Sequence, residues 1–273
     1  MRAIWHCPME LSYFLQNPDL GLQTFCHKSL CKACVMSHPP LYLELRSRLL
    51  ALIRTGELPA GSRLPAERLL AERFETTRVT LRQALGQLES EGCIYRSNRR
   101  GWFVSPARLV YEPVRDYSFT RYVTAQGRVP RTEVLGFEET KAEERVANAL
   151  ALPVGAPVYR LKRRRYLDNR LVLVETIWLN ARFLPGLEQY RFDQSLWQVF
   201  GEVYGIELVH KQITITPTAL TGEEVVALEV TSGCPGLHIT RISKTAAGET
   251  IEYDEEYWLH DVLTIALSTS SYG

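Results

Sequence analysis

The chain has 273 residues, 45% of them hydrophobic, and a formal net charge of +1. That is enough apolar material for a sizeable core, with no run of 18 or more apolar residues to cross a membrane. The near-neutral total excludes a uniformly basic nucleic-acid coat but hides an asymmetry: residues 41–105 hold 11 Arg against 7 Glu, a surplus of four positive charges, whereas residues 107–273 hold 18 Lys plus Arg against 22 Asp plus Glu, four negative.

Residues 1–38 form an N-terminal extension that contains four of the six cysteines. Cys26-x4-Cys31-x2-Cys34, with His27 and His38 nearby, has some of the look of a zinc site, but zinc modules pair two close ligand couples across a longer loop and these ligands are crowded. The favoured reading assigns them no metal, takes Met36 as the true start and expects residues 1–36 to be poorly ordered; a secretory leader pattern is missing.

Residues 39–105 read as one unit. Leu45, Leu49, Leu52 and Ile53 at helical spacing predict a helix from Leu41 to Thr55, ended by Gly56. Leu64, Leu69, Leu70 and Phe74 suit a short second helix, and Val79, Leu81, Leu85 and Leu88 a longer third one beginning after Thr76 or Thr77 and stopped by Gly92. Two short strands, Cys93 to Tyr95 and Trp102 to Val104, then flank the polar turn Arg96 to Gly101. Three helices closed by such a hairpin predict a winged helix-turn-helix, with double-stranded DNA as partner.

Arg78 and Arg82 stand one turn apart at the start of the third helix, with Thr80 between them. A helix N-terminus set into the major groove would bring both guanidiniums to guanine O6/N7 edges or phosphates, with the helix dipole adding attraction for the backbone. Arg68 would reach a phosphate or a flanking base. A merely solvated face is the bland alternative; the wing cations Arg96, Arg99 and Arg100 weigh against it.

The stretch PAERLLAERFETTRVTLRQALGQLESEGCIYR resembles the winged-helix signature of the gluconate-repressor (GntR) superfamily of bacterial transcription regulators. The resemblance implies operator contacts at Arg68, Arg78, Thr80, Arg82 and Gly101. Many members carry Gly-x-Gly at the wing tip where this chain has Arg99-Arg100-Gly101, so arginine side chains are expected to replace a close backbone approach in the minor groove.

Residues 106–115 read as a linker and residues 116–267 as one α/β domain. Thr140-x-x-Glu143 and Thr221-x-x-Glu224 each look like a capping box, opening helices through Leu150 and Leu228. Each is followed by a Gly/Pro turn and a hairpin: Val158 to Tyr166 with Leu171 to Trp178 around Asp168-Asn169, and Leu237 to Thr245 with Thr250 to Trp258 around Ala247-Gly248. The order helix, turn, hairpin thus recurs about 80 residues on, as two halves of one antiparallel sheet would require. Ser195 to Tyr204 offers a further helix, with Leu196, Val199, Phe200 and Val203 on its apolar side.

Through Asp116 to Tyr122, the Arg163-x-Arg165-x-x-Asp168 hairpin with Glu175, and Ile251-Glu252-Tyr253, this part resembles the UTRA effector-binding domain of the HutC-like branch of the same superfamily. The resemblance implies a chorismate-lyase-like fold, a small-metabolite effector, and dimerisation through this domain. The fold class expected overall is α+β: a winged helix-turn-helix followed by a chorismate-lyase-like domain with an antiparallel sheet.

Strand alternation carries the pocket. Arg163 and Arg165 share a sheet face, and two adjacent guanidiniums repel unless an anion lies between them, which is either an effector group or a domain carboxylate such as Glu133 or Glu175. Ser118, Phe119 and Thr120 at a helix start could supply hydroxyl and N–H groups to the same anion, and Glu175 could orient an arginine or accept from the ligand. Glu252, Asp254 and Glu256 share one face of the last hairpin and Tyr253 and Tyr257 the other. Three carboxylates in register favour a cation, which would give the effector an amine beside its anionic group; a solvent-exposed strand edge is the alternative.

Enzymatic readings compete poorly. Six histidines are scattered, Cys93 and Cys234 have no neighbouring base in sequence, and neither a P-loop nor a nucleophile elbow appears. Cys234 reads as a turn residue and His210 and His238 as ordinary strand residues. No cofactor or metal is expected. The chain is expected to be a cytoplasmic, homodimeric regulator, most simply a repressor, gripping a palindromic operator and answering a small anionic metabolite such as a phosphonate or amino-sugar phosphate. A lyase using the second domain is the competing class.

Overall fold

The computed structural model describes residues 39–97, 100–113 and 118–268. The cysteines at positions 26, 31 and 34, the wing-tip Arg99, and Asp116-Tyr117 lie outside them.

Helices α1 (Leu41–Arg54), α2 (Glu67–Arg73) and α3 (Arg78–Ser90) are followed by the hairpin β1 (Ile94–Ser97) and β2 (Gly101–Val104). Their apolar faces meet in one core of Leu45, Leu49, Leu70, Leu81, Leu85, Leu88, Ile94, Trp102 and Val104. Each such leucine contributes about 1.5–3 kcal/mol on burial, which holds three short helices that would not persist alone. Thr77 caps α3, its hydroxyl accepting the Thr80 N–H at 3.1 Å.

Three positions depart from the helical reading, one of them Leu69, which lies on the outer side of α2 and is 48% exposed. Leu64 lies outside α2, in an extended stretch whose N–H donates to the Trp102 carbonyl at 2.8 Å; Pro65 disfavours helical backbone in the residue before it. Val79 is 69% exposed, because the first turn of α3 presents it on the solvent side with Arg78 and Arg82.

Beyond the wing, β3 (Leu109–Tyr111) runs parallel to β10 (Leu263–Ile265). These residues were expected within a linker; alternate burial of Leu109 and Tyr111 in the second core fastens them instead. After α4 (Phe119–Ala125) come β4 (Pro130–Lys141), α5 (Glu144–Leu150), β5 (Pro157–Leu167), β6 (Arg170–Asn180), α6 (Leu196–Tyr204), β7 (His210–Ala219), α7 (Gly222–Leu228), β8 (Pro235–Lys244) and β9 (Thr250–Leu259). The six longer strands form one antiparallel sheet in the order β4-β5-β6-β9-β8-β7.

That order is a palindrome of two α-β-α-β-β halves meeting at β6 and β9. The recurrence expected from the hairpins is therefore longer than expected, since it also takes in α4 with β4 and α6 with β7. The β5–β6 turn places Asp168 and Asn169 at φ of 50° and 65°, as a two-residue hairpin with right-handed strand twist requires. The capping box expected at Thr140 does not form: Thr140 pairs with Val158 inside β4, and Glu143 directly precedes α5. Thr221 does precede α7, without a side-chain cap bond.

Phe119 and Val123 of α4 pack with Leu173 and Trp258, and Leu196 and Phe200 of α6 with Leu161 and Ile177, on one sheet face. On the opposite face, Val146 and Leu150 of α5 pack with Val158 and Trp178. No helix among the described residues is long and apolar enough to cross a membrane.

Candidate functional site

At the N-terminal end of α3, Arg78, Val79, Arg82 and Gln83 are exposed together. Arg82 donates to Glu67 at 2.7 Å, and the other oxygen of Glu67 accepts from Trp102 Nε1 at 3.1 Å. The Arg82 bond, then the Trp102 bond, hold the Glu67 carboxyl below its usual range. One carboxylate thus ties α2, α3 and the wing together and aims Arg82, a role the sequence reading did not assign. Arg68 pairs with Glu72 one turn on, at 2.7 Å. The Thr80 hydroxyl lies 2.9 Å from that of Thr77. At the wing, Arg100 lies over the Phe103 ring, and Gly101 has φ +96°, with Arg63 beside it. Arg68 and Arg82 remain 62% and 67% exposed despite their partners, so both guanidiniums reach solvent.

A second site lies on the sheet face beneath α4 and α6. Ser118, Phe119, Thr120, Arg163, Arg165, Glu175, Glu252 and Asp254, scattered over 137 positions of sequence, all line one recess of about 50 Å³, joined there by Arg241, Glu256 and Ser195. Ser118 and Ser195 precede the equivalent helices of the two halves, so the recess sits on the seam between them. Its mouth shares Ser118, Thr120, Ser195 and Trp197 with an outer cleft of about 740 Å³.

The charges inside are buried and interlocked. Glu175 Oε1 accepts from Arg163 Nε and from Arg165 Nε, the latter at 2.9 Å. The anion between the two guanidiniums is thus the protein's own carboxylate, the second of the two arrangements the sequence left open. Burial opposes ionisation of Glu175, yet the guanidiniums of Arg163 and Arg165 hold its carboxyl below the usual range. Arg163 also donates to the Phe192 and Gln194 carbonyls at 3.0 and 3.3 Å, and Arg165 to Thr132 Oγ1 at 3.0 Å.

Glu252, Asp254 and Glu256 do not form an exposed edge; they are 2%, 2% and 5% exposed, because β9 is a central strand. Arg241, opposite Asp254 on β8, donates to Glu256 Oε1 at 2.7 Å, and Trp258 Nε1 donates to Glu256 Oε2 at 2.6 Å. Arg241 was missed from sequence, although counting back across the Ala247-Gly248 turn places it beside the acidic row. Burial, then the charges of Glu256 and Glu175, push the Asp254 carboxyl well above the usual carboxylate range.

The sheet reaches the winged helix at a third place. Arg170, first residue of β6, lies over the Tyr95 ring of the wing at 3.6 Å and meets both oxygens of Asp261 at 2.8 Å. Asp261 also accepts from Ser105 Oγ at 2.9 Å, and His260 Nε2 lies 3.0 Å from the Glu89 carbonyl of α3. Gly92 suits this contact: its φ of +72° is one that side chains rarely adopt, and a Cβ would come within 2.6 Å of the mobile end of Arg108 and 3.0 Å of Asp261 Cβ.

Known proteins resemble this arrangement over nearly its whole described length. The family of bacterial regulatory proteins called gntR matches residues 41–104, and the UTRA domain matches residues 125–264. The uncharacterized HTH-type transcriptional regulator YihL of Escherichia coli (strain K12) is 30% identical over 220 residues, 79% of this chain and 92% of that protein. The HTH-type transcriptional repressor NagR of Bacillus subtilis (strain 168) is 27% identical over 225 residues, 82% of this chain and 93% of that one. The crystal structure of PhnF from Mycobacterium smegmatis superposes with a TM-score of 0.59 at 28% identity, covering 85% of this chain and all of that one. YihL and NagR carry the names of transcription regulators, and the chain belongs to the GntR family of transcription regulators, in the HutC-like branch that joins a winged helix to a UTRA effector domain.

Proposed function

We propose that this regulator is a cytoplasmic repressor that binds a palindromic operator as a homodimer and releases or rearranges it when a small anionic metabolite enters the recess of the sheet. The observation that carries the reading is the convergence of Ser118, Phe119, Thr120, Arg163, Arg165, Glu175, Glu252 and Asp254 on one cavity, in a sheet whose β5–β6 turn and β9 end abut the winged helix. A relative named as a repressor supports repression. Relatives named as transcription regulators weigh against the lyase alternative.

In this reading Arg78, Thr80 and Arg82 face the major groove, Arg68 meets a flanking phosphate, and the wing residues Arg99, Arg100 and Gly101 meet the backbone or minor groove. The effector's anionic group lies at the mouth against the Ser118 and Thr120 hydroxyls, with Arg165 behind them. Only a ligand that prefers one head arrangement shifts operator affinity, and a coupling of about 1–3 kcal/mol changes it about 5- to 150-fold. A thermal-shift screen of phosphonates, sugar phosphates and amino acids, followed by operator binding with each hit, tests the reading: a stabilising ligand that leaves operator affinity unchanged at fixed salt refutes it.

A further inference from the structure

The recess holds three guanidiniums, from Arg163, Arg165 and Arg241, and four carboxylates, from Glu175, Glu252, Asp254 and Glu256. Three of the carboxylates have donors: Glu175 has two arginines, Glu256 has Arg241 and Trp258 Nε1, and Glu252 has Ser243 Oγ at 2.9 Å. Asp254 differs. Its Oδ1 is buried with no hydrogen-bond partner among the described residues, and its Oδ2 lies 3.6 Å from Arg241, beyond hydrogen-bond range. An orphaned acceptor at such depth is costly, and native proteins keep few without a use.

The shape of the space narrows that use. One oxygen each from Glu175, Asp254 and Glu256 lie within 4.8 Å of one another; a tetrahedral nitrogen about 2.9 Å from three acceptors needs them about 4.7 Å apart. A recess of about 50 Å³ admits a head group of one or two heavy atoms, while the outer cleft of about 740 Å³ takes the remainder.

Building on the effector reading above, we propose that this recess receives a protonated primary amine of the effector, its nitrogen donating to Asp254 Oδ1 and to the carboxylates of Glu175 and Glu256. The added positive charge balances four carboxylates with four cations. Asp254 faces Glu252 and Glu256 on its own strand, Arg241 on β8, Glu175 on β6, Arg163 and Arg165 on β5, and the Tyr122 and Tyr111 hydroxyls of α4 and β3. Burial and the charges of Glu256 and Glu175 favour the protonated form of this carboxyl, whereas an ammonium beside it favours the ionised form, so a proton leaves to solvent as the amine, still protonated, binds. Affinity therefore rises with pH until Asp254 is ionised in the free protein as well. The guanidiniums in the same recess oppose a divalent metal ion.

Calorimetric titration of the full chain tests this with 2-aminoethylphosphonate against ethylphosphonate and glucosamine 6-phosphate against glucose 6-phosphate, in two buffers of different ionisation heat, and with Mg²⁺ and Ca²⁺ alone. At least one amine is expected to bind about ten-fold more tightly than its deaminated partner, to release a proton, and to lose the advantage in Asp254→Asn, whose folding is checked by melting. If that variant does not fold, proton release by the wild type decides. Equal affinity within each pair, an advantage that survives Asp254→Asn, amine binding without proton release, uptake of Mg²⁺ or Ca²⁺ in place of amines, or no amine bound at millimolar concentration overturns the proposal. Those results leave the effector reading standing, whereas operator binding indifferent to every stabilising ligand removes the reading itself.

Discussion

Arg82 reaches solvent already oriented, since Glu67 holds its guanidinium and Trp102 holds Glu67. Arg82→Ala is expected to lower operator affinity by about 1–3 kcal/mol, which fluorescence anisotropy at constant salt will read, while the loss of its exposed pair with Glu67 costs only about 0–1 kcal/mol of stability; affinity equal to wild type would remove Arg82 from the interface. Val79, exposed between Arg78 and Thr80, is placed to touch a thymine methyl. Val79→Ser is accordingly expected to shift base preference at one position of each half-site while leaving the salt dependence unchanged. Asp254 gives a stability signature of its own. Its carboxyl titrates higher in the folded chain than the value near 4 of an unfolded one, so the folded state favours the protonated acid; that contribution is full below the unfolded value and is lost as pH rises toward the folded one. Asn imitates the neutral acid, so Asp254→Asn should match wild type near pH 4 and melt a few degrees higher near pH 8. A gap independent of pH would contradict the assignment.

The β5–β6 hairpin joins the recess to the wing: Arg163, Arg165 and Glu175 line the recess, and Arg170 at the same hairpin's turn lies against Tyr95 of the wing. Asp261, whose side chain is 2% exposed, depends on Arg170 for its charge partner. Arg170→Ala should cost about 3–5 kcal/mol through the stranded carboxylate, and Arg170→Leu with Asp261→Leu should recover most of it in chemical denaturation. The double variant is then expected to bind operator normally but to respond weakly to effector; a full response would show that coupling runs elsewhere. Much at this scale was legible from sequence. Helical spacing and turn residues located the three helices, the wing and both central hairpins, because each rests on local patterning. What was not legible depended on partners distant in the chain: β3 and β10 are three-residue strands made by each other, β4 is an edge strand with little burial contrast, and Thr140 imitates a cap inside a strand. In the recess, alternation grouped the arginines and the acidic row, but only the β6–β9 pairing reveals that Glu175 and Glu256 are neighbours.

For the molecule as a whole, the charge division of the sequence agrees with the fold, with the arginine-rich winged helix bearing the surplus positive charge. Operator affinity should fall steeply with salt, and Arg78→Ala or Arg82→Ala should reduce that slope by about one only if the side chain meets a phosphate rather than a base. Sedimentation of the chain with one and with two half-sites will count protomers on the operator; a single protomer on the full site would remove the dimer from the proposal.

The mirrored strand order has a mechanical consequence. Neither half of the sheet is complete alone, since β6 and β9 each leave an open row of backbone donors and acceptors that the other fills. A chain severed near residues 190–195 would yield two fragments whose natural remedy is to find one another, reassembling the floor of the cavity only when they rejoin. A guest lodged across that join bears on both pieces at once, as a keystone loads both limbs of an arch.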